Sequence, residues 1–140
     1  MTVAIRRKKK KFAEADLVSV EVPAPERVPP ECPLFTRCGG CAYQMMAYPA
    51  QLAAKQQQVE QTLRRVGRLA DVPMREIIPS PRPYGYRNRI RVHAAGGVLG
   101  FYAHGAEALV DVERCPIASE EVNERLAAFR ARPRADGDYT

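Results

Sequence analysis

Cys32-Pro-Leu-Phe-Thr-Arg-Cys38-Gly-Gly-Cys41 holds three of the four cysteines in the chain, and the fourth stands far downstream in Cys115-Pro116. Four thiolates close a tetrahedral zinc site or hold an iron–sulfur cluster. Each ligand must lose its proton, and a bound cation makes that favourable at neutral pH. Gly39 and Gly40 let the backbone turn tightly between Cys38 and Cys41, so that amide N–H groups point at sulfur. Zinc sites more often use two close pairs. One wide gap, one narrow gap and one remote ligand followed by proline suit a [4Fe–4S] cubane somewhat better. Zinc, redox or structural disulfides, and four unconnected buried cysteines stay open on this pattern alone. His93 and His104 are each a lone histidine without a spaced partner, and a surface or hydrogen-bonding role suits them better than ligation.

A second set of residues suits a polyanion. In Arg87-Asn-Arg-Ile-Arg-Val-His93 the period is two, which puts Arg87, Arg89 and Arg91 on one face of a predicted strand. Alternate strand residues lie about 6–7 Å apart, near the spacing of a phosphate backbone. Tyr84, Tyr86, Phe101 and Tyr102 flank this strand and suit stacking on unpaired bases. Arg6-Arg-Lys-Lys-Lys-Lys11, with Lys8 and Lys9 at its centre, adds six consecutive positive charges. Without these six, 16 of the 22 basic residues remain against 16 acidic ones, so the whole +6 excess lies in one block. RNA, DNA or an acidic surface would attract such a block, although solvated edges carry similar runs. No helix combines a basic face with large apolar anchors, which disfavours membrane binding.

The elements that position these residues follow from periodicity. Thr2–Ile5 and Leu17–Val22 read as strands around a basic turn, with Val18, Val20 and Val22 on one face. Pro23, Pro25, Pro29 and Pro30 make the next stretch an extended linker. A helix is expected over 49–66, opened by Pro49 and closed by Gly67. Its apolar stripe, Leu52, Val59, Leu63 and Val66, is narrow, which predicts a helix lying on a sheet. Gly96-Gly97 marks a tight hairpin leading to strands at Val98–Tyr102 and Ala108–Val112, the latter delivering the chain to Cys115. Ser119 caps a last helix with apolar side Val122, Leu126 and Phe129. The predicted class is therefore α+β, a short antiparallel sheet with packed helices and a four-cysteine site.

At 140 residues, the chain is one domain or one domain plus a piece of another. No apolar run approaches the ~20 residues needed to cross a bilayer, and no secretory leader is evident. A cytoplasmic, reducing location is the expectation, and there clustered cysteines favour metal over disulfides.

Pro29-Pro-Glu-Cys-Pro-Leu-Phe-Thr-Arg-Cys-Gly-Gly-Cys-Ala-Tyr-Gln44 resembles the cluster motif of the RNA (uracil-C5) methyltransferases. The resemblance continues through Tyr48-Pro-Ala-Gln-Leu-Ala-Ala-Lys55, Pro79-Ser-Pro81, Tyr84-Gly-Tyr-Arg-Asn-Arg89, Gly100-Phe-Tyr102 and Val110-Asp-Val-Glu-Arg-Cys-Pro-Ile117. It implies a parent with an RNA-binding β-barrel, a central cluster domain and an S-adenosylmethionine-dependent catalytic domain. It further implies Cys32, Cys38, Cys41 and Cys115 as [4Fe–4S] ligands, and the branch of the family that acts on 23S ribosomal RNA. On this view residues 1–28 are the last part of the TRAM-like barrel, 29–130 the central domain, and 131–140 the start of a truncated segment. The family's cofactor motif, nucleophilic cysteine and general base have no match here. The chain alone is therefore expected to be inactive, with S-adenosylmethionine a cofactor of the parent only. Arg87, Arg89, Arg91, Phe101, Lys8 and Lys9 are the expected RNA contacts. The competing reading is a stand-alone metal-stabilised RNA-binding module with no reaction, and a weaker third is a cluster-based redox protein. No obligate protein partner is expected, and the open ends suggest exposed sheet edges.

Overall fold

The computed structural model describes residues 1–132. The expected segment 131–140 therefore lies almost wholly outside the described residues.

The chain opens with a hairpin of β1 (Thr2–Lys8) and β2 (Ala13–Ser19), antiparallel, with Thr2 opposite Ser19 and Lys8 opposite Ala13. The predicted basic turn is shorter than expected. Arg6, Arg7 and Lys8 extend β1, and Lys9 N–H closes the turn on Phe12 O at 2.8 Å. The second strand is correspondingly displaced from 17–22 to 13–19. Val20 and Val22 lie past the residue that faces Thr2, so β1 offers them no ladder. Every residue of both strands is exposed, and among the described residues the hairpin closes no barrel.

The linker leads to the cysteine loop and then to α1 (Tyr48–Arg65), with proline in its first turn as expected. The helix ends near Gly67, but the left-handed residue is Arg68 (φ 54°). A Cβ at position 67 would lie 2.6 Å from Leu63 O, which explains the glycine. The predicted apolar stripe is only partly used. Leu52 and Leu63 are half-buried, whereas Val59 and Val66 are exposed. The expected packing of this helix on a sheet gives way to glutamine-mediated ties to loops. Gln51 Nε2 donates to Met46 O (2.9 Å), and Gln56 Oε1 accepts from Ile77 N–H (3.1 Å).

The core belongs to the second half of the chain. Strands β3 (His93–Ala95), β4 (Val98–Tyr102) and β5 (Leu109–Asp111) form an antiparallel meander. Gly96 (φ 56°) and Gly97 (φ 76°) make the predicted tight turn, in which both residues need positive φ. Helix α2 (Glu120–Arg130) packs on the meander through Leu126, which joins Leu99 and Val112 in the core, with Phe129, Ile90 and Phe101 around them. The Ser119 side chain caps α2 by accepting from Val122 N–H at 3.3 Å.

The predicted arginine strand is corrected. Only His93 of Arg87–His93 belongs to a strand, and residues 88–92 run without a ladder. At its start the chain pairs instead with the loop after β5. Gly85 N–H donates to Pro116 O (2.9 Å), Arg87 N–H to Ile117 O (2.8 Å), and Ser119 N–H to Arg87 O (2.8 Å). Residues 85–87 thus run beside the loop that carries Cys115.

Candidate metal centre and its basic rim

All four cysteines line one cavity of about 200 Å³, although Cys41 and Cys115 are far apart in sequence. Each is half-buried and free of disulfides. Among the described residues no three His, Cys, Asp or Glu side chains converge tightly enough to hold a single metal ion. The cavity walls are largely apolar, with Leu34, Ile90, Phe101 and Val112 among them.

Three devices hold the thiols there. The Cys38 loop docks on the end of β4: Gly39 N–H donates to Tyr102 O (2.9 Å) and His104 N–H to Arg37 O (2.9 Å). A Cβ on Gly39 would come within 3.1 Å of Tyr102 O, so the small residue permits the docking. Gly40 N–H approaches Cys38 Sγ at 3.4 Å, the amide-to-sulfur contact expected of this glycine pair. Cys32 is fixed by Gln44, a buried side chain whose Oε1 accepts from Cys32 N–H at 3.0 Å. Cys115 is fixed by Asn123, 4% exposed, whose Oδ1 accepts from Cys115 N–H at 2.9 Å. Asn123 Nδ2 in turn donates toward the carbonyls of Cys115, Ala118 and Ser119 at 3.1–3.3 Å.

Sequence reasoning passed over Gln44 and Asn123 as site residues. Asn123 carried a signal. It lies three positions before Leu126, on the face expected to be apolar, and a polar residue there needs partners. Gln44 closes the cysteine segment and gives no comparable sign.

Burial pushes the Cys32 thiol up, and the neighbouring Cys41 and Cys38 add to this, against the opposing backbone hydrogen bonds from Leu34 and Phe35. Burial also raises Cys115, with Cys41 and Cys32 contributing. For Cys32 and Cys115 the cause is the same: an apolar surrounding and neighbouring thiols both disfavour the thiolate.

Arg87, Arg91 and Arg114 also line the cavity. Arg89 points elsewhere, lining a groove with Val122 and Arg125 of α2. The predicted single stripe of three arginines is thus split, two at the cavity and one beside α2. All three are exposed, and among the described residues none of the three has a carboxylate partner. Phe101 is half-buried against the core, whereas Tyr86 and Tyr102 are exposed. His93 stacks obliquely on Tyr102, ring centroids 4.5 Å apart, and His104 is exposed. Lys8 is exposed on β1, and Lys9 pairs with Glu14 at 2.8 Å and lies over the Phe12 ring.

The arrangement defines a small α+β unit with a four-thiol cavity rimmed by Arg87, Arg91 and the Glu120-paired Arg114. No family model matches the chain. It is 36% identical over 135 residues to an uncharacterized RNA methyltransferase of Thermosynechococcus vestitus, covering 93% of this chain and 30% of the relative. A similar protein of Bacillus cereus is 37% identical over 123 residues, 85% of this chain and 27% of the relative. One from Aquifex aeolicus is 34% identical over 124 residues, 89% of this chain and 29% of the relative. The chain is therefore similar to RNA methyltransferases over most of its own length, and spans less than a third of theirs. No described helix is long and apolar enough to cross a membrane.

Proposed function

We propose that this chain is the RNA-gripping, cluster-holding part of an S-adenosylmethionine-dependent methyltransferase acting on uracil C5 of 23S ribosomal RNA. The observation that carries the reading is the convergence of Cys32, Cys38, Cys41 and Cys115 on one cavity rimmed by arginines. The similarity to RNA methyltransferases over 93% of the chain supports the same reading over a stand-alone module.

The residues present fit a [4Fe–4S] cluster. Zinc needs all four sulfurs about 2.3 Å from one ion. Thiols spread around a cavity of about 200 Å³ suit a many-atom cluster better. The apolar walls limit water, and Arg87 and Arg91 offset part of the negative charge of four thiolates. A cluster so held supplies a covalent staple between residues 32–41 and the loop after β5, not a reaction step. Arg87, Arg89 and Arg91 contact phosphate, with Lys8 and Lys9 as a second basic patch. The methyl transfer itself belongs to parts of the parent outside these residues.

Iron and acid-labile sulfide analysis of anaerobically purified protein tests the centre. About four of each per chain is expected, and one equivalent of zinc would overturn it. Replacing Arg87, Arg89 and Arg91 together with Ala is expected to weaken RNA binding and flatten its salt dependence. Unchanged affinity and slope would remove them from the RNA surface.

A further inference from the structure

Beside the cysteine cavity lies a second one, of about 290 Å³, with Cys41 in the wall between them. It is formed where the start of α1 meets the 80–86 loop. Tyr43, Tyr48, Tyr84 and Tyr86 line it together with Lys55 and Arg82, and no carboxylate does. Among the described residues neither cation is paired with an acid. The walls are braced: Tyr48 Oη accepts from Ser80 N–H at 2.7 Å, tying the loop to the helix. Tyr43 Oη accepts from Gln58 Nε2 at 2.5 Å. Tyr86 is 53% exposed, so one aromatic ring is left open at the rim.

Four aromatic rings give flat apolar faces, and two uncompensated cations give an anion site. Together they match one unstacked nucleotide, with its base on an aromatic ring and its phosphate at the cations. A duplex hides its base faces and does not suit the cavity. We infer that this cavity holds a single unpaired nucleotide of the RNA, its base stacked on Tyr86 and its phosphate between Lys55 and Arg82. The inference rests on the RNA-binding reading and adds to it a single-strand subsite on the far side of Cys41 from the arginine rim.

The test uses the full chain, isolated anaerobically, and a fluorescein-labelled decauridylate. Tyr86→Ala is expected to weaken binding about tenfold with an unchanged salt slope, whereas Tyr86→Phe binds as the parent does. Lys55→Gln with Arg82→Gln is expected to make the salt slope shallower by about 0.7, the value for one phosphate on a single strand. If these variants bind like the parent while the Arg87, Arg89 and Arg91 variant is impaired, the subsite is overturned and RNA binding stands. The cavity would then be left for a protein partner. An equal loss in Tyr86→Ala and Tyr86→Phe, or equal affinity for a duplex of the same length, would also overturn it. No binding by the parent chain would overturn both readings.

Discussion

Asn123 and Cys115 form a closed backbone-to-side-chain pair: Cys115 N–H donates to Asn123 Oδ1 (2.9 Å), and Asn123 Nδ2 donates back to Cys115 O (3.1 Å). One side chain from the first turns of α2 thus fixes the remote cysteine. Asn123→Ala would leave the Cys115 amide and several carbonyls without their partner. A loss of about 2–3 kcal/mol is expected, read as a lower urea midpoint, together with a lower iron content per chain. A full iron content in a destabilised variant would show that Asn123 supports the fold and not the centre.

Gly100 lets β4 and β5 run close together. A Cβ there would sit 1.8 Å from Val110 O, a main-chain atom that cannot swing away. Gly100→Ala is expected to cost at least about 3 kcal/mol, because β4 or β5 must shift beneath Leu99 and Val112. The urea midpoint measures it. A change under about 0.5 kcal/mol would show that the strands separate without strain.

Arg130 clamps the end of α2 to β5. Its guanidinium meets Asp111 through two contacts, 2.7 and 2.8 Å, and reaches the carbonyls of Leu99 and Val112. The Arg130 side chain is 18% exposed, so the contacts are partly shielded from water. Arg130→Met keeps the apolar stem and is expected to cost about 1–3 kcal/mol. Equal stability of Arg130→Met and the parent in low salt would refute the clamp.

Arg114 holds the Glu120 carboxyl below its ordinary range, chiefly through a paired hydrogen bond whose longer arm is 2.8 Å. A carboxyl depressed in the folded state stabilises above its unfolded pKa and loses that contribution as pH falls through its folded value. Both side chains are exposed, so the effect is small and screened by salt. Glu120→Gln is therefore expected to lower stability slightly at neutral pH and to flatten the acid limb of the stability profile. Identical acid limbs at low ionic strength would exclude the linkage.

Local signals carried much of the fold. Gly96-Gly97 announced its turn, Ser119 its cap, and Pro49 the start of α1, because each acts through its own backbone or its nearest neighbours. Two expectations failed where the outcome depended on distant partners. The alternation of Arg87–His93 reads as a strand, but the backbone of Arg87 at its start pairs with Ile117 and Ser119, which sequence spacing does not reveal. The α1 stripe promised packing on a sheet, but Val59 and Val66 stay exposed. The four cysteines were legible as one group from count and spacing. The amide side chains that aim two of them were not, since Gln44 and Asn123 gain their meaning only from the backbone they meet.

The docking of the Cys38 loop on β4, with Cys115 closing the same cavity, has a consequence for synthesis. Cys41 and Cys115 are 74 residues apart in the chain. At roughly 5–20 residues per second, roughly 4–15 s pass between their translation. Through that interval the first three thiols lack a fourth partner, and for most of it β4 has not yet been made. The four-thiol cavity can therefore close only after most of the unit has left the ribosome.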